Sequence, residues 1–358
     1  MAESGVIPAA AVAAPAPRAP ALAQPLARAM LAIVAAFAVT AMLILIAGKN
    51  PFVAYGQLIA GALGSWDRIV VGLNKSTPYL LAGVGVALCF RGNVINIGAE
   101  GQIALGGLAG SAVALNLGAM SGWLSVPLAI AAAAAAGAAW AGLAALIRLT
   151  RGVHEVLCTL LLNFVALLFV SEALHGDLGE PGAGFPQSSL FEPQAWLPKL
   201  VPGTDLHIGI LFAVGAVALC HVVLWRTTAG FRWRLIGSST PAAGYAGVSV
   251  PRAFAELMLV AGALAGLAGG IECLGVHYRL IEGFSHGFGF NAVAIAVMGA
   301  LNPLTVLPAG LFFGFLETGA LAMQRQSGVP SSLVLVIQGL TMIFVLAGMG
   351  LAGRSRRA

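Results

Sequence analysis

Two Asn, a Glu and a Gln that could do chemistry (Asn93, Asn96, Glu100 and Gln102) fall within Phe90–Gln102, a stretch bounded on both sides by apolar runs. Three glycines, Gly92, Gly98 and Gly101, are interleaved with them. A carboxylate at bilayer depth costs about 2.5–3.5 kcal/mol on insertion scales, so it faces a bundle interior or a wet cavity. If the segment is helical, Asn96 and Glu100 lie at i and i+4 on one face, with Asn93 one turn earlier. The glycines let backbones approach closely or let a helix break, as at transporter substrate sites. Two readings follow: a polar clamp between helices, or a pathway or gate.

The elements that position these residues follow from composition. Of 358 residues, 59% are hydrophobic, 9% are charged and 47 are Gly. A soluble domain of this size carries far more charge, so the pattern reads as an all-α polytopic membrane protein. At about 20 residues per crossing, ten candidate spans can be marked: 28–48, 75–91, 97–117, 123–147, 154–174, 207–225, 253–273, 289–305, 306–324 and 331–352. The eighth and ninth are parted only by Asn302-Pro303, which also suits one broken helix. Residues 1–26 are Ala/Pro-rich and read as a disordered tail, 27–353 as the membrane domain and 354–358 as a basic tail.

Basic residues orient the chain. With the N-terminus inside, Arg18, Arg28, Arg91, Arg148, Arg151, Arg226, Arg232, Arg234, Arg252, Arg354, Arg356 and Arg357 are cytoplasmic. Lys49, Arg68, Lys75, Lys199, Arg279 and Arg325 lie opposite. That excess is the positive-inside bias, and it places both termini in the cytoplasm. The net charge of +5 is scattered over short loops, which argues against nucleic acid. The outer loop His175–Leu206 holds Asp177, Glu180, Glu192 and Asp205 against the single Lys199.

Other motifs are read in the same way. Small residues recur at helical spacing (Gly106/Gly110, Gly262/Gly266/Gly270, Gly310/Gly314) and permit tight helix packing. Glu155 and Glu272 fall near span ends and read as interfacial, Asn163 is mid-span, and Glu317 is deep enough to need a partner. The aromatic and Asn side chains around Phe288–Asn291 suit stacking and hydrogen bonding to a sugar or base. The inner segment 226–252 contains Gly237-Ser-Ser-Thr-Pro-Ala-Ala-Gly-Tyr-Ala-Gly-Val248, a small-residue stretch suited either to docking in a groove of a soluble partner or to lying on the lipid surface.

Some chemistry is missing or weak. No Gly-x-x-x-x-Gly-Lys-Ser/Thr loop exists to cradle ATP phosphates, and no His-Glu-x-x-His or Cys-x-x-Cys pattern points to a metal. Cys89, Cys158, Cys220 and Cys273 lie in apolar segments and read as small hydrophobes. Gly283-Phe-Ser285-His-Gly287 fits a hydrolase nucleophile elbow, but that motif needs a strand before it, and here apolar helices flank it.

Asn96–Gln102 (Asn-Ile-Gly-Ala-Glu-Gly-Gln) resembles the signature of the ATP-binding-cassette permeases that import simple sugars and nucleosides. His154-Glu155-Val156 with Leu162-Asn163, and Gly287–Asn291 with its apolar continuation, are similar to further stretches of that family. Gly237, Ala242, Ala243, Ala246, Gly247 and Val248 match its coupling loop. The matches run over about residues 75–320. Departures are His154 for the usual Asn, Asn291 for a frequent Asp, Ser238 and Pro241 where acidic residues are common, and Gly244 where a basic one is.

The resemblance implies a permease subunit with no enzymatic activity or cofactor of its own. ATP would be hydrolysed by a separate ATPase docked on the 226–252 loop. A second permease chain, or a copy of this one, would complete the pore, and an extracytoplasmic binding protein would deliver a nucleoside or simple sugar across a bacterial inner membrane. Asn96, Glu100, Gln102, Asn163, Phe290 and Asn291 would line or gate the pathway. Gly237, Ala242, Ala243, Ala246 and Gly247 would couple to the ATPase. The competing readings are an ion-coupled transporter using Glu100 or Glu317 as relay, and an intramembrane hydrolase using Ser285.

Overall fold

The computed structural model describes residues 23–117, 121–330 and 332–355; among them there are helices, turns and three isolated β-bridges, and no strand. The helices are α1 (Ala23–Ile46), α2 (Pro51–Leu63), α3 (Trp66–Arg91), α4 (Ala99–Leu117), α5 (Gly122–Arg151), α6 (Glu155–His175), α7 (Gly209–Arg226), α8 (Thr228–Ser238), α9 (Thr240–Tyr245), α10 (Val250–Glu272), α11 (Phe288–Met298), α12 (Pro303–Ser327) and α13 (Ser332–Ser355). Five segments are long and apolar enough to cross a membrane: α5, α6, α7, α12, and α10 with the π-helical turn Cys273–His277 that continues it.

Helix α6 shows which solvent the fold expects. Its buried stripe is the polar-containing one, Thr159, Asn163, Ala166 and Val170. Leu157, Leu161, Phe164 and Leu168, at the same helical spacing on another face, are 56–69% exposed. A soluble protein does the reverse. The chain is therefore a polytopic membrane protein, with its large apolar side chains turned to lipid.

Close backbone approach holds the centre together. Helix α10 packs against α5, α4 and α3. A Cβ on Gly106 of α4 would strike the backbone of Gly266 on α10, and one on Gly262 would strike that of Gly137 on α5. These contacts put main chain on main chain, the geometry that small residues provide where lipid supplies no hydrophobic drive. Gly314 of α12 does the same against Ser76 of α3, while Gly310 makes room for the Leu80 side chain.

Several expected boundaries move, each for a local reason. The span expected at 75–91 belongs to a longer helix that begins at Trp66, where the Ser65 side chain caps Arg68 N–H and Asp67 sits in the first turn. Lys75, expected as the first residue of that span, is therefore well inside the helix. Helix α2 was not expected; the Asn50 side chain caps it and Pro51 opens it. Of the tail expected over 1–26, residues 23–26 begin α1, and the rest lies outside the described residues; of 354–358, Arg354 and Ser355 end α13 and the rest lies outside them too.

The span expected at 289–305 is not a crossing. Helix α11 stops at Met298, because Ala300 and Leu301 take positive φ (50° and 55°) and Asn302 caps α12 with Pro303 behind it. Its 11 residues reach roughly 16 Å at 1.5 Å per residue, about half the hydrocarbon thickness.

The long loop 176–208 seals one end of the bundle. Where the π turn leaves carbonyls without helical partners, loop amides supply them: Leu197 N–H donates to Leu274 O (3.1 Å), Phe191 N–H to Tyr278 O (2.9 Å) and Ser188 N–H to Leu280 O (2.8 Å). Trp196 stacks on Tyr278 with ring centres 4.4 Å apart, and Arg279 pairs with Glu180 at 3.2 Å.

Candidate functional site

The Asn96–Gln102 stretch is not one helix. Residues 94–97 are non-helical and α4 begins at Ala99, so the i, i+4 face expected for Asn96 and Glu100 does not exist. The stretch instead builds a helix start inside the protein. Asn96 Oδ1 accepts from Gly98 N–H (2.9 Å), and the Asn96 and Gln102 amides pair head to tail at 3.1 and 3.2 Å. Gly98 has no side chain with which to cap α4, so Asn163 reaches across from α6. Its Oδ1 accepts from Gly101 N–H (2.8 Å) and its Nδ2 donates to Ile97 O (2.9 Å). Thr159, one turn earlier on α6, accepts from Ile97 N–H at 3.4 Å.

Glu100 links this start to a second one. Helix α11 opens from Gly287, which takes φ 81° and offers no capping side chain. The Glu100 carboxylate supplies the cap, accepting from Gly287 N–H (3.1 Å), Gly289 N–H (2.7 Å) and the Ser285 hydroxyl. The positive ends of α4 and α11 thus share one buried carboxylate. A Cβ on Gly289 would strike the backbone of Ala99 and Glu100, so only glycine lets the two starts meet. Ser285, read from sequence against a hydrolase pattern, lies after turns and not a strand, and its hydroxyl is committed to Glu100.

A second polar system runs beside the first. Lys75 Nζ lies 3.3 Å from Glu317 and 4.0 Å from Glu272, and 5.4 Å from the Phe288 ring centre. Tyr79 OH donates to Glu317 Oε2 (2.8 Å) and accepts from Asn291 Nδ2 (3.3 Å). Glu272 is fully buried with His277 at 3.5 Å, which corrects the interfacial reading: the π turn carries the chain past it, and Lys75 is its cationic neighbour. Glu155, expected near a span end, is the first residue of α6 and pairs with Arg148 at 2.9 Å.

These residues open on a cavity of about 400 Å³ lined by Lys75, Tyr79, His286, Asn291, Glu317 and Gln338, with Leu321, Val334 and Leu335 among its apolar walls. Gln338 is 4% exposed and its Oε1 has no hydrogen-bond partner among the described residues. Of the six pathway candidates, only Asn291 lines this cavity. Phe290 is exposed on the other side of α11's first turn, and Asn96, Glu100, Gln102 and Asn163 are buried and bonded to the chain itself. Lys75, Tyr79, His286 and Gln338 were missed. Lys75 entered only as an outer-side cation at the start of a span, and the other three carry no spacing signal.

The coupling candidates also divide. Gly237 ends α8 against the Arg91 backbone, where a Cβ would collide with the carbonyl. The Ser239 side chain caps α9, and Ala243 is wholly buried beneath it. Ala242, Ala246 and Gly247 face outward, as does Tyr245, which is 96% exposed and was not singled out from sequence. Trp233 and two arginines, Arg232 and Arg252, hold Glu256 at the root of α10.

Comparison with known proteins gives the assembly its class. A family model described as branched-chain amino acid transport system / permease component matches residues 68–346. The chain is similar to a glucose ABC transporter permease protein of Haloferax volcanii (38% identity over 88% of this chain and 86% of the relative). It is also similar to a guanosine ABC transporter permease protein of Bacillus subtilis (32%, 88% and 91%) and a nucleoside ABC transporter permease protein of Lactococcus lactis (30%, 88% and 89%). No solved structure matches it. The family model takes in both helix starts, the cavity and α9, and the chain belongs to that permease family as a membrane subunit of an ABC importer.

Proposed function

We propose that this subunit translocates a nucleoside or simple sugar through the cavity beside α11, driven by ATP hydrolysis in a separate subunit seated on α9. The lining of the cavity carries this reading. Lys75 and Glu317 neutralise each other, while Tyr79, Asn291, His286 and Gln338 offer donors and acceptors with no fixed net charge. That chemistry suits an uncharged solute rich in hydroxyl and amide edges, in line with the glucose, guanosine and nucleoside permeases it resembles. Asn96, Glu100, Gln102 and Asn163 hold the helix starts that flank the cavity and act as positioning residues. Exposed Ala242, Tyr245, Ala246 and Gly247 form the face offered to the ATPase, with Gly237 and Ala243 fixing that face to the bundle.

The assembly we infer has both termini in the cytoplasm of a bacterial inner membrane, a second permease chain across the pore and an extracytoplasmic binding protein outside. An ion relay through Glu100 is disfavoured by the three donors that hold its oxygens. The test is uptake of labelled adenosine and labelled ribose in host cells with and without this chain, after ATP depletion and separately after an uncoupler. Chain-dependent uptake that follows ATP and survives the uncoupler is expected. Uptake abolished by the uncoupler at normal ATP would overturn the reading.

A further inference from the structure

A second cavity lies at the opposite end of α3, and the proposed transport does not use it. It measures about 520 Å³ and lies between the end of α3 (Phe90, Arg91), the end of α7 (Trp225), α8 (Phe231, Arg234, Leu235) and the turn residue Leu301. Two guanidinium groups converge there on one indole: Arg91 Cζ is 5.3 Å and Arg234 Cζ 4.6 Å from the Trp225 ring centre. Both arginines are half-buried. Among the described residues no carboxylate lies within 4.0 Å of either. Glu256 of α10 is already shared by Arg232 and Arg252. The Trp225 ring supplies the wall on which both guanidinium groups rest.

Two half-buried like charges set against one ring repel each other, and an anion between them relieves that repulsion. A planar guanidinium fork matches phosphate oxygens two at a time, and more than one such fork on one cavity suits a phosphate better than a lone carboxylate. The walls supplied by Phe90, Phe231, Leu235 and Leu301 suit an anion carried on an apolar body.

We propose that this cavity is a phosphate-anion site in which Arg91 and Arg234, both set against the Trp225 ring, hold the phosphate. The phosphate comes either from an acidic phospholipid headgroup or from a soluble phosphate. The cavity touches the last turn of α8, directly before α9, so its occupant ties the ends of α3 and α7 to the segment that carries the coupling face.

The test uses the purified complex of this chain with its ATPase. The complex is exchanged into phosphatidylcholine micelles containing phosphatidylglycerol, and bound phospholipid is counted by native mass spectrometry. Phosphatidylglycerol is expected to be retained at least tenfold over phosphatidylcholine, and Arg91→Gln with Arg234→Gln should remove that preference. The exposed Arg226→Gln should leave it intact, and Arg91→Lys with Arg234→Lys, which keeps the charge, should retain part of it. An arm on the unaltered protein needs no variant to fold. Excess inorganic phosphate that displaces the lipid, and binds alone in pure phosphatidylcholine, assigns the soluble source; failure to displace assigns the lipid. Equal retention of both lipids with no phosphate binding overturns the proposal. So does phosphate binding that appears only after the ATPase is removed, since the pocket then serves an acidic side chain of that partner.

Discussion

Replacing Asn163 by Leu separates a helix-capping role from a solute-binding one. The side chain makes two bonds, to Gly101 N–H and to Ile97 C=O, both at the start of α4 and both away from water. Leucine fills similar space and satisfies neither group. Leaving a buried backbone donor or acceptor unpaired costs about 1–3 kcal/mol each, and side-chain bonds between membrane helices average roughly 0.6 kcal/mol. The expected loss is therefore about 1–6 kcal/mol of unfolding free energy, read from denaturant titration in mixed micelles. Asn163→Asp keeps an acceptor for Gly101 and, when protonated, a donor for Ile97, so it should fall between. Uptake by the Leu variant should drop in maximal rate with the amount of folded protein, while the half-saturating solute concentration stays put. A variant with unchanged stability and a raised half-saturating concentration would refute the reasoning and place Asn163 in contact with solute.

Three further outcomes follow from the same geometry. Gly289→Ala puts a Cβ onto the Glu100 backbone with no flexible side chain to yield; overpacking of this kind costs about 1–3 kcal/mol, and the yield of folded protein by size exclusion should fall. Glu317→Gln leaves Lys75 with only Glu272 at 4.0 Å and Tyr79 with a weaker acceptor. Uptake should fall while its dependence on ATP stays intact, whereas loss of coupling to an ion gradient would support a relay. Tyr245→Asp alters a side chain that touches nothing else in the fold, so the subunit should fold normally and co-purify with less ATPase. Unchanged co-purification would remove α9's outward face from the docking surface.

Local signals made much of this protein legible. Caps and turn residues are short-range devices, so the Asn302-Pro303 break can be read where it stands. Apolar length identifies α5, α6, α7 and α12 because about 30 Å of hydrocarbon imposes a ruler. The same ruler misled at α11, since a half-length helix followed by a turn has the composition of one full span. It left residues 92–96 between two spans, where the chain is non-helical over 94–97, but a length ruler carries no record of which groups those residues bond.

What the sequence by itself determined is the class: a Gly-rich chain with few charges, a signature at Asn96–Gln102 and a small-residue loop before α10 specify a permease subunit. Only the tertiary structure decided what the polar residues do. Asn163 and Gly101 are 62 positions apart in the chain, and Glu100 and Gly289 are 189 apart. No periodicity records such pairings, because they exist only where three helices cross. The cavity around Tyr79, Asn291 and Glu317 is likewise assembled from α3, α11 and α12, elements whose meeting depends on glycines allowing backbones to touch. Local propensity shapes each helix, but close packing in lipid chooses which side chains face one another.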